Sequence, residues 1–240
     1  MKVWLLSDTH GKHGMVYVPL DVDLMIFAGD AGTTSETHEN NSVVLDFIEW
    51  MDSLEHIPNK VWIAGNHDTS IERKVLRPKE LPGYNKNWIY LEHEAVTLNI
   101  DGREIKIFGS PYTPSFGYNW AFNVKRNKID AYWQDIPEGL DFLITHGPPR
   151  GILDYTESGV EFREYNEVGN VACYACGDAA LKRHIEEKKP KYHVFGHIHS
   201  ERNCSNAGIF KPSNSRTTFI NAAVLDLRYQ LNNDGVILEI

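Results

Sequence analysis

The sequence predicts an α/β fold with mixed β-sheets, and two observations carry that prediction. Short apolar runs recur along the chain, each followed by a polar turn that contains glycine, as expected for buried strands. Segments with helical spacing lie between some of these runs. The chain has 240 residues, of which 42% are hydrophobic and 24% charged. This balance suits a globular protein with a sizeable core, and we expect residues 1–240 to form a single domain.

Six apolar runs are predicted to be strands. In chain order they begin the segments "KVWLLSDTHG", "VDLMIFAGDAG", "NKVWIAGNHD", "REIKIFGSPYTP", "LDFLITHGPP" and "KYHVFGHIHS". The segment "EAVTLNIDGREIKIFG" predicts a hairpin that turns at Asp101 and Gly102. A hairpin is antiparallel, whereas strand-helix-strand units are parallel, so the sheet is predicted to be mixed.

Two helices are predicted from the spacing of apolar residues. The first lies in "NSVVLDFIEWMDSLEHI", between the second and third strands, with Asn41 or Ser42 available as its N-cap. The second lies in "DAALKRHIEEKKP" and is ended by Pro190. The polar, acidic stretch from Gly151 to Gly177 is predicted to be a long connection.

Composition and charge exclude several classes of function. The formal net charge of -9 disfavours a general attraction to polyanions, so no duplex nucleic-acid partner is expected. No stretch approaches the roughly 18 apolar residues of a membrane span, and Asp8 comes too early for a signal peptide. Three cysteines are too few for a disulfide-rich secreted scaffold. These features predict a cytoplasmic protein without membrane association.

Polar side chains follow the predicted strands at the points where they end. This matters because ligands of α/β sheets bind beyond the carboxyl ends of the strands. Each residue taken alone is more often a turn residue, a helix cap or a satisfied histidine. The ordered recurrence of D-x-H, G-D, G-N-H-D, H and G-H-x-H instead favours a metal site. The residues concerned are Asp8, His10, Asp30, Asn66, His67, Asp68, His146, His197 and His199.

These residue types suit a pair of divalent ions. Two such ions about 3.5 to 4 Å apart can clamp a phosphate group for in-line displacement. Asp30 follows a glycine and can project between them, so it is assigned as the bridging ligand. Mixed imidazole, carboxylate and amide ligation favours Mn, Fe, Zn or Ni over Mg or Ca. His67 is then left as a proton donor.

The blocks "SDTH", "AGD", "AGNHD", "THGPP" and "VFGHIH" resemble the five signature blocks of the calcineurin-like metallophosphoesterase superfamily. Further segments, including "GSPYTP", "WAFN" and "TTFINAAV", resemble its metallophosphoesterase-domain subgroup, known in animals from brain and fetal tissue and with bacterial relatives. The resemblance covers nearly the whole chain. It implies a four-layer α/β/β/α sandwich of two mixed sheets flanked by helices, with the metals at one edge.

The resemblance also implies a role for each site residue. One metal would be held by Asp8, His10, Asp30 and His199, and the other by Asp30, Asn66, His146 and His197. A metal-bridging hydroxide would attack phosphorus. The predicted catalytic residues are Asn66, His67 and Asp68: His67 would stabilise the phosphoryl group or protonate the leaving alkoxide, and Asp68 would orient the His67 imidazole.

Two departures from family patterns bear on function. The brain-type animal protein of the subgroup has Gly at the position of His197, which weakens one metal site, so His197 favours full two-metal activity here. The segment "AGTTSE" after Asp30 lacks the Asp-Arg pair of protein Ser/Thr phosphatases. That difference counts against a phosphoprotein substrate.

The predicted function is a phosphodiesterase that hydrolyses small phosphodiesters such as cyclic nucleotides. Aromatic residues after "GSP" could stack on a base or pack on the core: Tyr112, Phe116, Tyr118, Trp120 and Phe122. The alternatives are a phosphomonoesterase or single-strand nuclease using the same site, and a non-catalytic metal-binding scaffold. A homodimer is compatible with the resemblance.

Overall fold

The computed structural model describes residues 1–33, 37–117, 120–157 and 174–240. Within these ranges the helices are α1 (Thr37–Ser53), α2 (Thr69–Glu72), α3 (Asp130–Trp133) and α4 (Ala179–Lys188), with 3-10 turns at His13–Met15 and Pro78–Glu80. The strands are β1 (Lys2–Leu6), β2 (Leu24–Phe27), β3 (Asn59–Trp62), β4 (Ile89–Tyr90), β5 (Glu94–Ile100), β6 (Arg103–Ser110), β7 (Thr113–Pro114), β8 (Asn123–Val124), β9 (Phe142–Thr145), β10 (Tyr155–Thr156), β11 (Tyr174–Ala175), β12 (Tyr192–Phe195), β13 (Gly208–Phe210), β14 (Thr218–Asn221) and β15 (Val236–Glu239).

Two large sheets dominate the described part of the chain. The first has the strand order β15-β1-β2-β3-β4, in which β1 to β4 run parallel and β15 is antiparallel to β1. The second has the order β13-β14-β12-β9-β6-β5, with a parallel centre and antiparallel strands at both edges. The prediction of mixed sheets is therefore confirmed.

Apolar side chains from both sheets meet in a central core. Because side chains alternate along a strand, Val3 and Leu5 of β1 face this core, whereas Trp4 and Leu6 point to the opposite face. Strand β9 does the same in the second sheet, with Ile144 facing the central core. The strands thus bury both faces, which explains why they read as continuous apolar runs.

Helices cover the two outer faces. Helix α1 packs Val44, Phe47 and Met51 against the first sheet, and α4 packs Leu181 and Ile185 against the second. The four layers are therefore helix, sheet, sheet and helix, which confirms the predicted α/β/β/α sandwich. In the described ranges, no helix combines the length and the apolar character that crossing a bilayer requires.

The predicted elements are present, with one boundary corrected. The six predicted strands are β1, β2, β3, β6, β9 and β12, and the hairpin turns at Asp101 and Gly102, whose φ angles of 51° and 79° fit a type I′ turn. Helix α1 begins at Thr37, so Asn41 and Ser42 lie inside it and the predicted N-cap is wrong. Of the connection predicted over residues 151–177, residues 158–173 lie outside the described ranges.

We predict that Phe47→Ala lowers the free energy of unfolding by about 3–5 kcal/mol. Phe47 is fully buried between α1 and the first sheet, with its ring centroid 4.3 Å from that of Phe27 and 5.6 Å from that of Trp62. Urea denaturation of the native and variant proteins measures the change. Glu49→Ala, on the exposed face of the same helix, is the matched control and should change the free energy by less than about 0.5 kcal/mol.

Candidate metal centre

The predicted site residues converge at one edge of the sandwich. Strands β1, β2 and β3 of the first sheet and β9 and β12 of the second lead directly into them. Because these strands are parallel within each sheet, their carboxyl ends lie at the same edge. The two sheets are joined there by contacts such as the His197 backbone N–H, which donates to the Asp8 carboxylate at 3.0 Å.

Unusual backbone turns aim these side chains into the site. Asp8, His10, Asp30 and His197 have φ angles of 58°, 42°, 61° and 66°, in the left-handed region. Such angles are uncommon outside glycine, although Asp and His tolerate them better than most residues. Gly196 allows a close approach at the same edge, because a Cβ atom there would collide with the carboxylate of Asp8. The backbone at these strand ends is therefore irregular, and this irregularity lets the side chains point toward one site.

The first ligand group consists of Asp8, His10 and His199. The Nε2 atom of His199 lies 3.3 Å from Oδ1 of Asp8, and Nε2 of His10 lies 3.9 Å from the same oxygen. The Nδ1 atom of His10 donates to the carbonyl of Gly32 at 2.7 Å, and Nδ1 of His199 donates to that of Asp226 at 3.0 Å. A carbonyl only accepts, so these bonds place the proton on Nδ1 and turn Nε2 toward Asp8.

The second group consists of Asp30, His146 and His197, with Asn66 beside it. The Nε2 atom of His146 lies 2.9 Å from Oδ1 of Asn66 and 3.2 Å from Oδ2 of Asp30. Its Nδ1 atom donates to the carbonyl of Ala28 at 2.9 Å, so Nε2 carries a lone pair in the neutral ring. Three electron-rich atoms facing one another require a cation between them, either a proton or a metal ion. The donor set therefore fits a divalent metal.

Asp30 lies between the two groups. Its Oδ2 atom is 3.2 Å from Nε2 of His146, 3.8 Å from Nε2 of His10 and 3.9 Å from Nε2 of His67. One carboxylate is thus within reach of ligand atoms from both sets. This placement is what a bridging ligand needs, and the bridge itself remains a prediction.

Charge and burial set the protonation of the imidazoles. Burial lowers the pKa of His10 to about 4 and that of His197 to about 3, so both are neutral ligands near pH 7. Burial also acts to lower the pKa of His146, but the adjacent Asp30 outweighs it and raises that pKa to about 9. Negative charge is therefore concentrated beside His146, where a bound cation would be stabilised.

Among the described residues, Asp68 does not make the predicted hydrogen bond to the imidazole of His67, whose Nδ1 atom has no partner. The carboxylate of Asp68 instead accepts backbone N–H groups of Gly65 at 2.7 Å, Gly32 at 2.8 Å and Asp30 at 3.1 Å. These three bonds occupy its oxygens, so Asp68 positions the loop that carries Asp30 rather than the His67 ring. We therefore correct its predicted role. Burial, followed by the nearby charge of Asp30, raises the pKa of Asp68 to about 7.

His67 faces the site from the side of the cleft. Its backbone N–H donates to Oδ1 of Asp30 at 2.7 Å, which fixes the loop next to the ligand groups. Its Nδ1 atom is buried and has no hydrogen-bond partner among the residues that the structure describes. Its Nε2 atom lies 3.9 Å from Oδ2 of Asp30 and so faces the ligand groups.

A cavity of about 950 Å³ opens over the metal centre. Two of the predicted aromatic residues line it: the Trp120 ring lies 4.4 Å from that of His67, and the Phe116 ring lies 4.9 Å from that of His197. Tyr112 and Phe122 pack into the core instead, and Tyr118 lies outside the described ranges. Among the described residues, the predicted stacking surface thus comprises Phe116 and Trp120.

Tyr229 is a cavity-lining residue that the motifs did not indicate. Its ring centroid lies 4.9 Å from that of His10 and 5.6 Å from that of His199, and 41% of the residue is exposed. It belongs to a turn after β14 in which Asp226 accepts the backbone N–H groups of Arg228 and Gln230. The closely spaced polar residues of "DLRYQ" signal a turn, but nothing in that pattern places the turn over the first ligand group.

Comparison with known proteins identifies the family. The family model described as calcineurin-like phosphoesterase matches residues 1–201. The chain belongs to the calcineurin-like phosphoesterase family. Human metallophosphoesterase domain-containing protein 1 is 31% identical to it, over 98% of this chain and 69% of the human protein. A UPF0046 protein of Caenorhabditis elegans is 32% identical, over 98% of this chain and 79% of the worm protein.

Membership of the calcineurin-like phosphoesterases makes the chain a metal-dependent phosphoester hydrolase. The described Asp and His groups agree with this, because three overlapping sets of them place ligand atoms within 4.8 Å of one another. The family resemblance read from the five sequence blocks is thereby confirmed.

We predict that Asp30→Ala lowers the metal content of both ligand groups, because each would lose a shared carboxylate. Elemental analysis of protein reconstituted with manganese and desalted measures the equivalents bound. Asp21→Ala removes a surface carboxylate that pairs with Lys2 and should leave the metal content unchanged. A variant at Asp30 that keeps two equivalents would refute the bridging role.

Proposed function

We propose that the protein is a dinuclear phosphodiesterase that hydrolyses small phosphodiesters such as cyclic nucleotides. The observation that carries the proposal is the position of Asp30 between two sets of Nε2 ligand atoms. Bound Mn, Fe, Zn or Ni ions would supply a nucleophile from water and neutralise phosphate charge. Asp8, His10 and His199 would hold one ion, and Asn66, His146 and His197 the other, with Asp30 shared.

We assign protonation of the leaving group, the remaining step of the reaction, to His67. Its side chain is 12% exposed and lines the cavity, so it can reach a substrate while staying held against Asp30. The leaving alkoxide needs a proton, and we assign its delivery to the Nε2 atom of His67. The Trp120 ring packs beside this imidazole, with the two ring centroids 4.4 Å apart.

The cleft favours small esters with a flat group. The rings of Phe116 and Trp120 lie 6.1 Å apart at 24° to each other, beside His197 and His67. Exposed aromatic faces next to a phosphate site suit a nucleobase, because base stacking contributes roughly 1–3 kcal/mol. The proposed setting of the reaction is the cytoplasm, because three cysteines are too few for a disulfide-rich secreted scaffold.

A substrate panel on metal-defined protein tests the proposal. It compares cyclic nucleotides of the 2′,3′ and 3′,5′ types, aryl phosphodiesters, the matching monoesters and single-stranded oligonucleotides. We expect the highest kcat/KM for small diesters. A preference for monoesters or oligonucleotides would replace the phosphodiesterase assignment, and no turnover with Mn, Ni or Zn would remove the enzyme assignment.

We predict that His67→Ala retains its metal but loses at least about 100-fold in kcat, because general acid catalysis typically contributes that much or more. The loss should be largest for substrates with poor leaving groups, which depend most on protonation. Elemental analysis and turnover of alkyl and nitrophenyl esters provide the two measurements. His56→Ala, at an exposed surface histidine, is the control. Equal turnover of a poor-leaving-group ester by native and His67→Ala protein would take His67 out of the reaction.

A further inference from the structure

Two arginines line the same cavity as the metal centre. Arg126 follows β8, Arg150 follows β9, and both are exposed. The protein as a whole is acidic, with 33 Asp and Glu against 24 Lys and Arg. Arg126 and Arg150 bring positive charge to one cleft of a protein whose average charge is negative.

Within the described ranges, neither arginine has a carboxylate at ion-pair distance. Arg77 and Arg183 show the contrast, because each pairs with a neighbouring acid on the surface. The acidic groups nearest the cavity wall have other partners. The Asp178 carboxylate accepts a hydrogen bond from Nε1 of Trp133 at 2.6 Å and one from the backbone N–H of Ala180, in the first turn of α4, at 2.8 Å.

Two further carboxylates near this wall are engaged in the same way. Asp154 accepts the backbone N–H groups of Gly151 and Gly177 at 2.9 and 2.8 Å. Glu201 accepts from the hydroxyl of Thr156 at 2.6 Å and from a backbone N–H at 3.0 Å. Within the described ranges, these contacts leave Arg126 and Arg150 without an acidic partner.

One wall of the cavity is the segment from Cys176 to Asp178, and both arginines hydrogen-bond to it. An Nη atom of Arg126 lies 3.5 Å from the carbonyl of Cys176, and the backbone N–H of Arg150 donates to the carbonyl of Asp178 at 3.0 Å. Both residues therefore contact the same short segment, and both line the cavity. A planar guanidinium presents its donors in a fixed fork that matches phosphate oxygens.

We propose that Arg126 and Arg150 form a second anion subsite, and that the substrate is a phosphodiester carrying a distal phosphate group. This rests on the proposed phosphodiesterase function: the metal centre would take the diester and the arginines the distal phosphate. A phosphate monoester offers three oxygens and nearly two negative charges, which balance two guanidinium groups better than the single charge of a carboxylate does. The arginines bind remote from the reacting phosphorus and set specificity rather than the chemical step.

The test compares two nitrophenyl esters that share one leaving group. One is the p-nitrophenyl ester of thymidine 5′-phosphate, and the other is the same compound with a 3′-phosphate. On manganese-loaded protein we expect the 3′-phosphorylated ester to be preferred in kcat/KM by about tenfold or more, as one or two charged hydrogen bonds would give. In the double variant Arg126→Ala/Arg150→Ala this preference should disappear through a rise in KM for the 3′-phosphorylated ester.

The matched control is Lys125→Ala/Lys128→Ala, which removes two exposed positive charges beside Arg126 that do not line the cavity. It should keep the preference. A preference that is missing from the native protein, or that survives in the arginine variant, would overturn the subsite.

A binding measurement distinguishes failure of the arginine subsite from failure of the proposed phosphodiesterase function. If the native protein hydrolyses neither ester, calorimetry with thymidine 3′,5′-bisphosphate and thymidine 5′-monophosphate still tests the subsite. Tighter binding of the bisphosphate that is lost in the arginine variant would support it. Equal affinities in the native and variant proteins would reject it.

Discussion

A buried negative charge at Asp30 is the constraint around which this edge of the molecule is built. Asp30 is only 2% exposed, and burial alone would raise the pKa of its carboxyl group. The adjacent His146, followed by His67, overcomes that cost and holds the pKa well below its ordinary value. A carboxylate that stays ionised without water needs positive charge on more than one side. Imidazoles from separate strand ends surround it, and a metal pair would complete the same balance.

The backbone also carries a cost for this arrangement. Left-handed φ angles at residues such as Asp8, Asp30 and His197 cost about 1–3 kcal/mol each and persist only where the surrounding structure fixes them. Here the fixing contacts are specific hydrogen bonds. The Asp8 N–H donates to the carbonyl of Gly29 at 2.9 Å, and Asp68 receives the N–H of Asp30. Two sheets buried on both faces provide the rigid base from which these turns project.

The sequence was sufficient to predict the strands that lead into the site and the residues at their ends, because both depend on local pattern. An apolar run followed by a glycine and a polar group predicts a buried strand and its exit, and parallel strands bring such exits together. The role of Asp68 was not predictable, since its partners include the backbone of Asp30 and Gly32 on a different loop. The position of Tyr229 over His10 likewise depends on how a distant turn folds back. Contacts of this kind are set by tertiary packing, which no local pattern records.

The ligand groups and the cavity walls come from different parts of the fold. Family membership therefore bears on the reaction more directly than on the substrate. The proposed metal ligands stand at the ends of strands that are fixed by the two-sheet core, so we expect the architecture shared with other calcineurin-like phosphoesterases to determine the type of reaction. The walls of the cavity come from connections: Phe116 follows β7, Arg126 follows β8 and Arg150 follows β9. Connections vary more freely than buried strands because fewer packing contacts restrict them. Members of the family can therefore share one type of reaction while each acts on a different substrate. The charge and shape of these connections are the features from which the substrate has to be inferred.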